Sequence, residues 1–247
     1  ATTMLANKLF LKQPKSFWSQ VKLVSMSLGY SKNDSIKVFS IQEIVHCLQA
    51  HNLSTGHLVD SANKITDEGK LLVAYFTFRG ETLKMFVEPN LMDRETAKKE
   101  FEKLSKSFKH TVVVPLNKQK GNKRHPAYLT GLINILTEKA LGSLGYDPSP
   151  RKLVVTTRNK KPLRVLSRWV DGAYPSTTNP LAVWEIKEYY GTTTFGSRVA
   201  DGVYESLLDG YELEELRSKE NMDIKHYLIV DDHYTWWECG KSYLCRI

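Results

Sequence analysis

Cysteine is scarce in this chain. Three residues, Cys47, Cys239 and Cys245, are spread over 247 positions. That is too few and too scattered for a disulfide framework, and it suits a reducing compartment. His233 lies close to Cys239 and Cys245, but no second Cys/His pair stands at ligand spacing, which argues against a zinc module. Long apolar runs are missing as well. The longest, Leu71–Phe76 and Thr111–Val114, fall far below the length that crosses a bilayer. No charged stretch followed by an apolar one opens the sequence as given, so no secretory signal is expected and the expected location is the cytoplasm. There is no internal repeat and no low-complexity tract.

Several enzyme signatures fail in turn. Gly240-Lys241-Ser242 matches the end of a phosphate-binding loop, but the position five residues earlier is Thr235 and not Gly, so the cradle is missing. The sequence has no G-x-G-x-x-G, no H-E-x-x-H and no G-x-S-x-G. Trp236-Trp237 reads as a pair of core aromatics before it reads as a base-stacking platform.

What is present is an ordinary globular composition, 41% hydrophobic and 25% charged, long enough to bury a core without covalent staples. Lys and Arg number 35 against 27 Asp and Glu, a net of +8 with a pI near 9.2, which favours a polyanionic partner.

The apolar spacing predicts a helix over Ser16–Leu28 and a second over Ile41–Ala50, capped by Ser40, with a third from Ser54 through Ala62. Leu71–Phe78 and Thr82–Val87 read as two strands around Arg79-Gly80-Glu81. Three helices and a hairpin are the element order of a winged helix. Glu88-Pro89-Asn90 then marks a boundary, giving an N-terminal module over residues 1–90 and a second domain over 91–247.

In the second domain Asp93 caps a helix through Ser107, whose mixed charges suit a solvated face, and Thr111–Val114 reads as a strand. Asn117–His125 is a basic loop with Lys118, Lys120, Lys123 and Arg124 and no apolar residue. A long helix runs from Pro126 to about Gly142. Three strand patterns follow, Leu153–Thr157, Leu163–Ala173 and Leu181–Tyr190, then a helix around Ser197–Leu208 and the strand Tyr227–Val230. The fold class is α/β with mixed strand pairing.

One constellation carries chemistry. Pro175–Pro180 is turn chemistry between two strand patterns, so Trp169–Pro175 and Leu181–Lys187 pair as a hairpin that brings Asp171 beside Glu185. The strand period places Val183, Glu185 and Lys187 on one face and Ala182, Trp184 and Ile186 on the other. Two adjacent carboxylates need a cation between them, and Mg2+ suits hard oxygen ligands while keeping water in its shell. Such water can attack a phosphodiester, with Lys187 orienting it. The acid-x-Lys tripeptide alone says little, because it occurs three times, at Glu68, Glu185 and Asp223. Only Glu185 lies inside an apolar strand with an Asp on a paired one. The same residues also fit an ordinary salt-bridged pair on a half-exposed strand.

Val170-Asp171-Gly172, a turn, and Val183-Trp184-Glu185-Ile186-Lys187 together resemble the motif of the PD-(D/E)XK nucleases, especially type II restriction endonucleases, with Val in place of the Pro. The resemblance spans roughly Thr111 to the C-terminus. It implies a restriction-endonuclease-like mixed central sheet flanked by helices, with Asp171 and Glu185 and the backbone carbonyl of Ile186 as Mg2+ ligands and Lys187 positioning the water. It offers Glu138, on the Pro126 helix, as a further metal ligand, although an exposed helix residue beside Lys139 fits it as well. It also points to Thr192, Thr193, Thr194 and Arg198 as DNA-facing, with Lys118, Lys120, Lys123 and Arg124 as phosphate contacts.

The function implied is Mg2+-dependent, sequence-specific cleavage of double-stranded DNA by a homodimer, the winged-helix-like module contacting DNA or completing the dimer. Two alternatives stay open: a structure-specific or phage-defence nuclease of the same superfamily, and a non-enzymatic winged-helix DNA-binding protein.

Overall fold

The computed structural model describes residues 7–117, 121, 124–190 and 196–247, apart from the side chains of Ser197 and Arg198. It is mixed α/β and divides into two compact units, Ala1–Asn90 with Lys241–Arg246, and Leu91–Gly240 with Ile247. Among the described residues no helix is long and apolar enough to cross a membrane.

The first unit contains α1 (Lys8–Leu11), α2 (Lys15–Leu28), a minimal hairpin of β1 (Ser31–Lys32) and β2 (Ser35–Ile36), α3 (Ile41–Ala50), α4 (Asp67–Thr82) and the terminal turn α8 (Lys241–Leu244). Helix α3 starts in a capping box: Ser40 accepts from the Glu43 N–H, and Glu43 reaches back to the Ser40 N–H.

The expected hairpin over Leu71–Val87 is instead α4, continued by a π-helical turn over Leu83–Val87. Thr66 caps it by accepting from the Gly69 N–H, and Asp67 and Glu68 sit in its first turn, where the helix dipole favours acids. Leu72, Phe76, Arg79 and Gly80 share one buried stripe, while Leu71, Tyr75 and Phe78 fill the flank beside it. A run apolar on both flanks loses its helical period, which is why it reads as a strand. The unit is therefore not winged-helix-like at its expected wing. The helix expected over Ser54–Ala62 is also a series of turns, because the Asp60 carboxylate accepts from the Ala62 and Lys64 N–H groups at 2.9 and 2.8 Å and turns the chain.

The second unit contains α5 (Arg94–Ser107), α6 (Tyr128–Leu141), the hairpin β3 (Val155–Arg158) and β4 (Lys161–Val165), then β5 (Gly172–Tyr174), β6 (Ala182–Glu188), α7 (Ser197–Glu220) and β7 (Lys225–Asp231). Strands β5-β6-β7 form one sheet, with β5 antiparallel and β7 parallel to β6 through the α7 crossover. Val183 packs with Leu213 and Leu216 of α7 on one face, and Ile186 and Ile229 join Ala97 of α5 and Leu129 of α6 on the other. The sheet is thus sandwiched between α7 and the α5–α6 pair.

Two expected strands are corrected here. Thr111–Val114 has no ladder; Thr111 hangs instead on Glu138 of α6. Leu163–Ala173 is interrupted: β4 ends at Val165, and Ser167 and Arg168 turn their donors to acids of α7. Gly172 is required where it stands, because a Cβ there would lie 2.0 Å from the Trp184 ring on the opposite strand.

Candidate functional site

The site grows from the edge where β5 begins. The Asp171 N–H donates to the Trp184 carbonyl at 3.0 Å, and one Asp171 carboxylate oxygen accepts from the Ile186 N–H at 2.9 Å. A bond from the facing strand therefore fixes the carboxylate just beyond the last Cα pair, Gly172–Trp184. One residue on from Trp184, Glu185 turns to the α7 face and is 1% exposed.

Lys187, two residues further on the same face, donates to Glu185 Oε2 at 2.9 Å and to Glu205 of α7 at 3.1 Å. Gly202 of α7 leaves room for the Tyr189 hydroxyl, 2.6 Å from where a Cβ would be, with the stem of Lys187 in ordinary contact beside it.

Arg168 completes the cluster. One of its guanidinium nitrogens lies 3.1 Å from Glu185 Oε1 and 2.8 Å from Asp209, and the other lies 2.9 Å from Glu205. Glu205 and Asp209 are four apart on α7 and so share a helix face. Asp209 Oδ1 is buried without a hydrogen-bond partner, while the buried Glu185 Oε1 meets only the Arg168 guanidinium.

These contacts set the electrostatics. Burial pushes the Glu185 carboxyl above its ordinary range and Asp171 adds to the rise, while Lys187 and Arg168 oppose it. Burial likewise raises Asp209 against the pull of Arg168. Lys187 is raised even though burial works against its charge, because Glu185 and Glu205 together outweigh the desolvation. His226, on β7 opposite Val183, is lowered by burial, and its Nε2 has no partner.

The other sequence candidates fall elsewhere. Glu138 places its two oxygens on the Thr111 N–H and hydroxyl, both at 2.9 Å. Arg124 is exposed, with its backbone N–H on the Gly121 carbonyl at 2.9 Å. Lys118, Lys120, Lys123, Thr192, Thr193 and Thr194, and the side chain of Arg198, lie outside the described residues. Trp236 and Trp237 are buried.

Arg168, Glu205 and Asp209 were not singled out from sequence. A signal for Asp209 existed: Val203, Ser206, Asp209, Leu213 and Leu216 form one buried helical stripe on α7, with an acid at an inward position.

A second acidic group closes the carboxyl ends of β6 and β7, on the paired residues Glu188, half-buried, and Asp231, buried. Glu188 accepts from the Thr130 N–H and hydroxyl, both at 3.1 Å, and Asp231 accepts from the Met92 N–H and the Tyr190 hydroxyl.

Among the described residues no three His, Cys, Asp or Glu side chains converge closely enough to form a metal cage. Two carboxylates with water completing the shell is nevertheless the usual arrangement for Mg2+, which dehydrates reluctantly. Four carboxylates, Asp171, Glu185, Glu205 and Asp209, face two cations, Arg168 and Lys187, which leaves a formal charge of −2 when all are ionised. The charge excess and the unpartnered Asp209 Oδ1 are what a divalent cation would answer.

The chain belongs to the family described as Domain of unknown function (DUF7687), whose model matches residues 92–247. A second model, Domain of unknown function (DUF7690), matches residues 4–86. Neither a curated protein nor a solved structure matches the chain.

Proposed function

We propose that this protein is a Mg2+-dependent endonuclease of double-stranded DNA, similar to the PD-(D/E)XK enzymes of the type II restriction class. The observation that carries the reading is the convergence of Asp171, Glu185 and Lys187 at one sheet edge, within a cluster whose carboxylates exceed its cations by two. The order α6, four strands, α7 and parallel β7, with β5 and β6 in the same sheet as β7, supports the restriction-endonuclease-like sheet as well.

Asp171 and Glu185 would hold the metal. The Ile186 carbonyl would join them, because in an extended strand it leaves on the same side as the N–H that meets Asp171. Bound there, Mg2+ would lower the pKa of a coordinated water and offset the charge that develops on the scissile phosphate.

The chain's own groups do the rest. The bond from the Ile186 N–H holds the Asp171 carboxylate in one orientation. Lys187 remains cationic between Glu185 and Glu205, so it orients the attacking water and stabilises an anionic phosphate oxygen. Arg168 supplies a fixed positive charge behind Glu185 and Asp209, which opposes the rise that burial imposes on both carboxyls. Cutting two strands at a symmetric site calls for a two-fold dimer, so the working form in this proposal is a homodimer in the cytoplasm.

The test is digestion of unmethylated phage and plasmid DNA with Mg2+, beside Asp171→Asn and Lys187→Met. A fixed fragment ladder, lost in both variants while duplex binding persists in Ca2+, is the expected result. A smear would move the assignment to a non-specific or structure-specific nuclease. Duplex binding without any cutting in Mg2+ or Mn2+ would refute the enzyme.

A further inference from the structure

The β3–β4 hairpin carries charge that the site does not use. From Pro148 to Val170 the sequence has seven cations and no carboxylate. Three of them are committed to α7: Arg158 to Glu220 at 3.2 Å, Arg164 to Glu215, and Arg168 to Glu205 and Asp209. The other four, Arg151, Lys152, Lys160 and Lys161, are exposed and pair with no acid among the described residues.

The tip of the hairpin is costly for the residue it holds. Asn159 and Lys160 make the turn with φ of 52° and 63°, both left-handed. A two-residue turn of this kind prefers Asn-Gly, since Gly has no Cβ to clash. Here a lysine takes the glycine's place, although its exposed side chain gains nothing from packing. A strained residue with no structural return is a signature of function.

The hairpin is also held stiffly. β3 exchanges bonds with the turn before β6, Val155 N–H to the Thr177 carbonyl and Asn179 N–H to the Val155 carbonyl, both at 2.8 Å. The Asn179 side chain spends its oxygen on the Thr157 N–H at 2.7 Å and its nitrogen on the Thr157 hydroxyl at 2.8 Å. The chain then runs from β4 through Arg168 to Asp171, so a ligand gripped by the hairpin is registered to the acidic cluster by one short ordered segment.

We infer that this hairpin docks the phosphate backbone of duplex DNA, with Lys160 and Lys161 at its tip and Arg151 and Lys152 just before β3. The inference rests on the DNA reading above but not on cleavage. Lysine is a flexible point charge, so these contacts add affinity without choosing sequence.

The test measures duplex binding by the full chain in Ca2+ over a series of salt concentrations. The parent is compared with Lys160→Gln/Lys161→Gln and with Lys99→Gln/Lys106→Gln on exposed α5. Losing two phosphate contacts flattens the log–log salt slope by about 1.8 and weakens binding about 50-fold at 0.1 M salt, whereas the α5 pair stays within about twofold of the parent. Lys160→Gly melts higher than the parent yet binds DNA more weakly, which separates a lost contact from a lost fold.

An unchanged slope in the hairpin pair, an equal loss in the α5 pair, or hairpin-dependent binding to RNA with none to duplex DNA overturns the inference. Hairpin-dependent binding without any cleavage leaves this inference standing and sinks the nuclease. Asp171-dependent cleavage with no hairpin dependence does the reverse.

Discussion

Asp231 offers a sharp test of the buried electrostatics. It ends β7, and its oxygens accept from the Met92 N–H at 2.8 Å and from the Tyr190 hydroxyl. Burial holds its pKa at about 7, against 3.8 for the free group; Asp232 and Glu188 add to the rise, and the two hydrogen bonds oppose it. Burial likewise raises the Tyr190 hydroxyl, so it remains the donor. Because the folded value is the higher one, folding takes up a proton. The stabilisation is fully present below the unfolded pKa and is lost as pH rises through the folded one. Three pH units at about 1.4 kcal/mol each set a ceiling of about 4 kcal/mol, and relaxation around the charge brings the expected loss to about 2.

Asp231→Asn removes the titration and keeps an oxygen for Met92. Urea unfolding, followed by the fluorescence of Trp236, whose indole donates to the Asp231 carbonyl at 3.2 Å, compares parent and variant at each pH. The expected difference is within about 1 kcal/mol at pH 4 and grows to about 2–4 kcal/mol in favour of Asn at pH 8. A variant less stable than the parent at pH 8, or a difference independent of pH, would refute the assignment of a buried, costly charge.

Two further changes probe the site. Arg168→Met leaves the buried Glu185 and Asp209 without their shared guanidinium and should cost about 3 kcal/mol of urea stability, with part of the loss recovered in Arg168→Met/Asp209→Asn; an unchanged midpoint would mean that the cluster is not electrostatically coupled. Glu138→Gln keeps an acceptor for the Thr111 N–H, so cleavage should stay within about threefold of the parent, whereas a loss beyond a hundredfold would restore Glu138 as a metal ligand.

The parts of the fold legible in the sequence are those where one local signal stands alone. Ser40 with Glu43 marks the start of α3, Asp93 that of α5, and Gly142, at φ 60°, the end of α6. The adjacency of Asp171 and Glu185 was legible because a Pro- and Asn-rich turn joins two apolar runs, and a period of two then assigns faces. α4 was not legible, since an apolar run buried on two flanks has no period to read and Arg79-Gly80 imitates a turn. Arg79 is in fact buried, its guanidinium 3.0 Å from the Ser25 hydroxyl, and Gly80 admits Val38 to 3.2 Å from the place of a Cβ. The break after β4 was hidden for a different reason. Ser167 and Arg168 leave the strand to meet acids on α7, more than thirty residues later, and no local pattern announces a partner that distant.

That distant pairing bears on why the cluster exists. A buried ionic network is a poor way to stabilise a fold, because desolvation of each charge consumes most of the attraction, and apolar residues of equal volume commonly do better. The argument is stronger when the charges do not balance. Lys187 and Arg168 neutralise two of the four acids, and Glu185 is raised chiefly by its burial, with Asp171 adding to the rise. Val183, two residues before Glu185 on the same face, packs against Leu213 and Leu216 of α7, so the interface continues as an ordinary apolar one as soon as it leaves the cluster. The acids meet at the contact between β6 and α7 beside Asp171, just past the point where β5 stops pairing with β6. Unbalanced charge buried in an otherwise apolar interface is a poor structural device, which favours the cation-dependent reading proposed above.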